Sequence, residues 1–150
     1  MTSIRSLMTD DHRHCDDLFA AAEQAMSGND LEIAATAFAR FQTAMLAHFA
    51  AEESTLFPTF EAKTGMSMGP TQVMRLEHAQ MRGLLEAAGV ALLAGDADEY
   101  LGQAETLVIM MQQHNMKEEN ILYPMCDQQL AAQLEKLLAQ LKGGIAGRIK

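Results

Sequence analysis

Tryptophan is absent from this chain, and aromatic residues of all kinds supply only 5% of it. Valine and isoleucine are sparse too, so the β-branched and aromatic residues that suit pleated sheets are in short supply. Only three prolines and ten glycines break up the 150 residues. What remains of the 49% hydrophobic fraction is mostly alanine, leucine and methionine, which favour helix. An all-α fold is expected. The length suits a single domain, residues 1–150, able to bury a core.

Other scarcities exclude whole classes of function. There are two cysteines, Cys15 and Cys126, and no Cys-x-x-Cys, so neither a disulfide framework nor a thiolate zinc site is indicated. Basic residues number 11 against 20 acidic ones, a formal charge of −9. Phosphate backbones repel such a surface, which argues against nucleic acid as a partner. No apolar run approaches the roughly 20 residues that span a bilayer, which argues against a membrane. The start, Met1-Thr2-Ser3-Ile4-Arg5, lacks the apolar stretch of a signal peptide, so a cytoplasmic location is expected. The twelve methionines are scattered rather than clustered and read as fillers of irregular core space.

What the chain does have is one motif written twice. His48-Phe49-Ala50-Ala51-Glu52-Glu53-Ser54-Thr55-Leu56-Phe57-Pro58 is matched by His114-Asn115-Met116-Lys117-Glu118-Glu119-Asn120-Ile121-Leu122-Tyr123-Pro124. Both read His-x-x-x-Glu-Glu-x-x-Leu-aromatic-Pro. On a helix, positions four apart share a face. His48 with Glu52, and His114 with Glu118, therefore each present an imidazole beside a carboxylate, as metal sites inside helical bundles do.

Hydrophobic spacing supplies the scaffold. Met8, Cys15, Phe19, Ala22 and Met26 form one stripe on a first helix over about 3–26, and His12 falls on that stripe. A second helix, about 30–63, turns Phe38, Phe41, Met45, His48, Glu52 and Leu56 inward, and Pro58 is expected to bend or break it. The stretch at about 64–70 is the longest non-helical segment and the expected mobile loop. A third helix begins near Pro70 and buries Val73, Met74, His78, Met81, Leu84, Leu85, Ala88 and Leu92. The fourth, about 97–123, turns Leu101, Leu107, Met110, Met111, His114, Glu118, Ile121 and Leu122 inward. The bundle thus occupies about 3–126. A short amphipathic fifth helix at about 127–142 carries Leu130, Leu134, Leu137, Leu138 and Leu141. It covers one end of the bundle or serves a dimer contact, so a monomer and a homodimer both fit. Gly143-Gly144 is expected to end it and leave a loose tail over 143–150.

The two motif copies stand 66 positions apart, and the same offset relates His12 to His78, Asp11 to Glu77, Met8 to Met74 and Leu18 to Leu84. Two αα-hairpins follow, each giving one histidine from its first helix and a His-x-x-x-Glu from its second. An up-down-up-down four-helix bundle with pseudo-twofold symmetry is expected. The offset also separates His12 from His14. His14 maps onto Gln80 and lies roughly 200° around the helix from His12, so it is expected to face solvent.

The expected metal site is then His12, His48, Glu52, His78, His114 and Glu118. Six such groups suit two ions, each taking two imidazoles, with the carboxylates able to bridge. Imidazole and carboxylate donors fit iron or manganese, and zinc alone does not ordinarily need six ligands. Glu53 and Glu119 sit one residue on, rotated from the centre, as solvated groups or hydrogen-bond partners of the ligands. Asp16 and Arg82, a mismatched pair in the repeat, stay outside the ligand set.

Asp11-His12-Arg13, Glu77-His78 and the doubled His-x-x-x-Glu-Glu motif resemble the hemerythrin-like HHE cation-binding family over about residues 5–126. The resemblance implies a four-helix bundle around a non-haem di-iron centre, oxo- or hydroxo-bridged, with manganese or zinc as alternative occupants on purification. It implies a small-molecule partner: O2, peroxide (H2O2) or NO. O2-carrying hemerythrins have a further histidine four positions after the third-helix one, and here that position is Arg82. The resemblance is therefore closer to iron-centre repair proteins and iron-sensing domains than to O2 carriers. Two classes of function fit. One is a di-iron protein that binds, senses or reacts with these molecules under oxidative or nitrosative stress. The other is an iron-sensing or storage module without turnover, or an iron–sulfur repair protein.

Overall fold

A computed structural model describes residues 2–146, and no strand occurs among them. Helix α1 (Ile4–Ser27) starts at Ser3, whose side chain accepts from the Ser6 amide while Ser6 answers to the Ser3 amide. Helix α2 (Leu31–Ala51) is capped by Asp30. It passes through a π-helical turn, Glu52–Leu56, into α3 (Phe57–Thr64), which Gly65 ends at φ 74°. Pro70 opens α4 (Pro70–Leu93). Asp96 caps α5 (Ala97–Lys117), which runs through a second π-helical turn, Glu118–Leu122, into α6 (Tyr123–Gln129). A short 3-10 turn, Ala131–Gln133, leads to α7 (Leu134–Ala146).

Contacts along the helices give their directions. Phe19 meets Phe41 edge-on at 5.1 Å, whereas Asp11, nearer the start of α1, meets His48, nearer the end of α2. Glu23 pairs with Tyr100 at the start of α5, and the Ile4 amide donates to Asp127 in α6. Glu61 meets Thr71 and Arg75, while Glu53 meets Arg82. Neighbours run antiparallel throughout. The molecule is the expected up-down-up-down bundle.

The apolar core is in two parts. One holds Phe38, Phe41, Leu85, Tyr100 and Leu107; the other holds Ile4, Leu56, Phe57, Phe60, Leu122 and Leu141. Between them, every one of the four long helical segments contributes buried polar groups: His12, His48 with Glu52, His78, and His114 with Glu118. Helix α7 packs on α1, α2 and the first π turn, and buries Leu137, Leu138 and Leu141 beneath this polar layer.

At Pro58 the α pattern is interrupted locally, as expected, but the chain stays helical through it. The π turn before it carries the Phe57 amide back five residues to Glu52, and this wider turn takes up the room that a proline ring needs. Some expectations need correction. Gly143-Gly144 does not end the last helix, which continues to Ala146 because Gly144 lies against Ala51 and Ile145 is buried. Of the tail expected over 143–150, residues 147–150 lie outside the described residues. Val73, Leu101 and Ile121 point outward, at 45%, 45% and 57% exposed. Each stands beside, rather than on, the stripe occupied by Met74, Tyr100 and Leu122.

Candidate metal centre

Each of the six expected side chains is at least 95% removed from solvent, and their donor atoms converge. Glu52, His78, His114 and Glu118 form one set able to hold a metal ion, and His12, His48 and Glu118 form another, with ligand atoms within 4.8 Å of one another in each. Glu118 belongs to both. Its Oε1 lies 3.1 Å from His12 Nε2 and 3.3 Å from His114 Nε2. Glu52 Oε1 lies 3.1 Å from His78 Nε2 and 3.6 Å from His48 Nε2. Each carboxylate thus stands between imidazoles of the two hairpins. His14 is exposed, as its position on the helix requires.

All four histidines meet a carboxylate through Nδ1. His48 meets Asp11 at 2.7 Å and His114 meets Glu77 at 2.8 Å. His78 meets Glu53 and His12 meets Glu119, both at 2.7 Å. With Nδ1–H donating outward, Nε2 turns its lone pair to the centre, as a metal-binding imidazole needs. The four carboxylates obey the 66-residue repeat as strictly as the histidines do. Glu53 and Glu119 reach these rings from partly buried positions rather than pointing away into water. Asp11 and Glu77 were visible in the sequence as the residues before His12 and His78, but their service to the opposite helix was not.

Arg82 turns away from the centre. Its guanidinium donates to both oxygens of Glu53 at 2.8 Å and lies over the Phe49 ring. Phe49 in turn stacks on His78 with ring centroids 4.1 Å apart. On the repeat-related side of the bundle the positions equivalent to Phe49 and Arg82 are Asn115 and Asp16, and there a groove of about 590 Å³ reaches Glu119.

The charge state carries a further message. Burial alone lowers a histidine pKa, yet the neighbouring carboxylates outweigh it. Beside Glu52 and Asp11, His48 is raised to about 10; beside Glu118, His114 is raised to about 9. Glu52 is held well below the ordinary carboxylate range despite burial, chiefly by His48. The carboxylates therefore favour positive charge in this cavity, whether protons on the imidazoles or a cation among neutral rings carries it. Among the described residues, Glu52 Oε1, Glu118 Oε2, His78 Nε2 and His114 Nε2 are buried in the layer without a hydrogen bond, although His78 Nε2 and Glu52 Oε1 stand at ion-pair distance from each other. An orphaned buried polar atom costs about 1–3 kcal/mol. Four converging on one place are a set of donors fit for a cation.

The family profile described as the hemerythrin HHE cation binding domain matches residues 3–126. The chain belongs to this family. The HHE domain here has the helical bundle and the buried His/Glu cluster able to bind metal. No match was found among curated proteins or among solved structures. Among the described residues, no helix of this HHE domain is long and apolar enough to cross a membrane.

One residue of the layer escaped the sequence reading. Tyr123, fully buried, places its hydroxyl 2.6 Å from Glu52 Oε2 and 2.8 Å from Glu118 Oε1, close enough to donate to either. The only signal for it was the aromatic position of the doubled motif, where Phe57 in one copy becomes Tyr123 in the other.

Proposed function

We propose that His12, His48, Glu52, His78, His114 and Glu118 are the ligands of a non-haem di-iron centre. Through it the protein binds, senses or reacts with O2, peroxide or NO, in a stress-response or iron-handling role. The observation that carries this reading is the convergence of the four orphaned donors, Glu52 Oε1, Glu118 Oε2, His78 Nε2 and His114 Nε2, inside a cavity that favours positive charge. All six donors are nitrogen or oxygen, a set that suits iron better than thiophilic metals.

The iron pair, when bound, supplies redox exchange and coordination positions for a small molecule. The chain's own residues prepare the place. Asp11, Glu53, Glu77 and Glu119 fix the imidazole rings through Nδ1 and raise their basicity as donors. Glu118, which belongs to both ligand sets, and Glu52 would offset most of the charge of bound ions in a dry interior. Phe49, stacked on His78, keeps bulk water from that side. Arg82 stands where an O2 carrier has its additional histidine and is engaged with Glu53 instead. That supports a reactive or sensing centre over reversible O2 carriage.

Metal analysis and optical spectroscopy of aerobically purified protein test the proposal. About two irons per chain with an oxo-to-iron absorption band are expected. Fewer than about one iron per chain, with no such band, would overturn it.

A further inference from the structure

The Tyr123 hydroxyl does more than fill a gap between the carboxylates. Besides Glu52 Oε2 at 2.6 Å and Glu118 Oε1 at 2.8 Å, it lies 3.2 Å from His12 Nε2 and 3.3 Å from His48 Nε2. The two nitrogens are those that face the centre, since the Nδ1 atoms of both rings are taken by Glu119 and Asp11. Donor atoms at about 2.1 Å from one six-coordinate ion stand roughly 3 Å from their neighbours. The phenol oxygen therefore sits at the spacing of a neighbouring ligand from four donors at once, and the two imidazoles among them are those of the His12–His48 set.

The other half has no such atom. Phe57 occupies the repeat-related position, and its ring takes the same pose: 5.6 Å and 23° from His78, against 5.7 Å and 29° for Tyr123 from His12. At this pair of positions the pseudo-twofold placement of the rings is kept, and the hydroxyl is what differs. The orphaned nitrogens follow the same division. His78 Nε2 and His114 Nε2 make no hydrogen bond and face only the carboxylates of Glu52 and Glu118, whereas His12 Nε2 and His48 Nε2 have the Tyr123 hydroxyl within reach.

We propose that Tyr123 is a seventh protein ligand, binding as a phenolate to the metal held by His12 and His48, so that the two metals are inequivalent and the one held by His78 and His114 keeps the position open to a small molecule. The inference rests on the di-iron reading above. Binding exchanges the phenol O–H bond for an oxygen–metal bond, and the proton leaves to solvent as the cation enters. No electron is transferred. A cation in the centre reverses the local field that the carboxylates alone impose on the hydroxyl.

The test uses the full chain loaded with iron and oxidised in air, with iron counted per chain and the visible and resonance Raman spectra recorded. Phenolate-to-iron(III) charge transfer is expected in the visible, with tyrosine ring modes enhanced on excitation in that band. Tyr123→Phe is expected to keep most of the iron and lose the band. Phe57→Tyr is expected to add a second phenolate and roughly double the intensity. Should Tyr123→Phe fail to fold, wild-type protein grown on ring-deuterated tyrosine must shift the enhanced modes, and Tyr100, bonded to Glu23 at the far end of α1, is too remote to supply them. Wild type holding iron without the band, or Tyr123→Phe retaining it, overturns the ligation while leaving the di-iron reading intact. Wild type holding no iron overturns both.

Discussion

A histidine in this protein is defined by two contacts, one through each ring nitrogen, and the two have different tasks. Removing Nε2 at the centre and removing the carboxylate at Nδ1 should therefore differ in size. His12→Ala is expected to lower iron content far more than His14→Ala, because His12 is buried in the layer and His14 is exposed. Metal analysis of the two purified variants checks this, and equal losses would count against the assignment. Glu53→Gln keeps a hydrogen-bonding group at His78 but removes the charge that it shares with Arg82. A drop of about 10–100-fold in iron affinity is expected, measured by competition with a chelator. That the six side chains meet was legible in the sequence, because a step of four on a helix and a repeat of 66 leave little freedom. Tyr123 was not. An aromatic residue beside a proline reads as packing, and only the assembled layer brings its hydroxyl to carboxylates on two different helices.

Helix by helix, the informative departures come where the backbone leaves the regular α pattern. Both π turns begin at a centre-facing glutamate and end just before the aromatic-Pro pair. Within each turn the consecutive glutamates serve different partners, as Glu52 faces the centre and Glu53 the back of His78. Periodicity placed the helices and their buried stripes well, since burial in a bundle follows the turn of the helix. It misjudged positions one step off the stripe, such as Val73 and Ile121. It also took Gly143-Gly144 for a stop signal, because close helix contact is invisible in one chain's sequence. A Cβ on Gly144 would lie 3.4 Å from Ala51 Cβ, so Gly144→Leu must push α7 from α2. A destabilisation of about 1–3 kcal/mol is expected in denaturant melts. Helix α3 is tied to α4 by Glu61, which accepts from Thr71 Oγ1 at 2.6 Å and from Arg75. Burial raises the Glu61 pKa, but the bonds from Thr71 and Arg75 and the Arg75 charge together outweigh it and hold the carboxyl below its ordinary value. A depressed folded-state pKa gives stability that is present above the unfolded value and lost as pH falls through the folded one. Glu61→Gln should therefore melt below wild type at neutral pH, and the gap should close in acid; a constant gap would show that the charge is irrelevant.

The bundle as a unit is two apolar cores separated by one layer of ionisable groups, and that order is the opposite of what stability alone would select. Large apolar residues at those six positions would relieve the cost of burying charge. The layer is intelligible as a place kept for cations, supported on every side by carboxylates that the same 66-residue repeat supplies twice. The most direct measurement is an anomalous difference map from crystals of the aerobically purified protein, with data collected on both sides of the iron absorption edge. Two peaks that appear only above the edge, lying between His12, His48, Glu52, His78, His114 and Glu118, are the predicted result. A single peak, peaks elsewhere, or peaks indifferent to the iron edge would contradict the account.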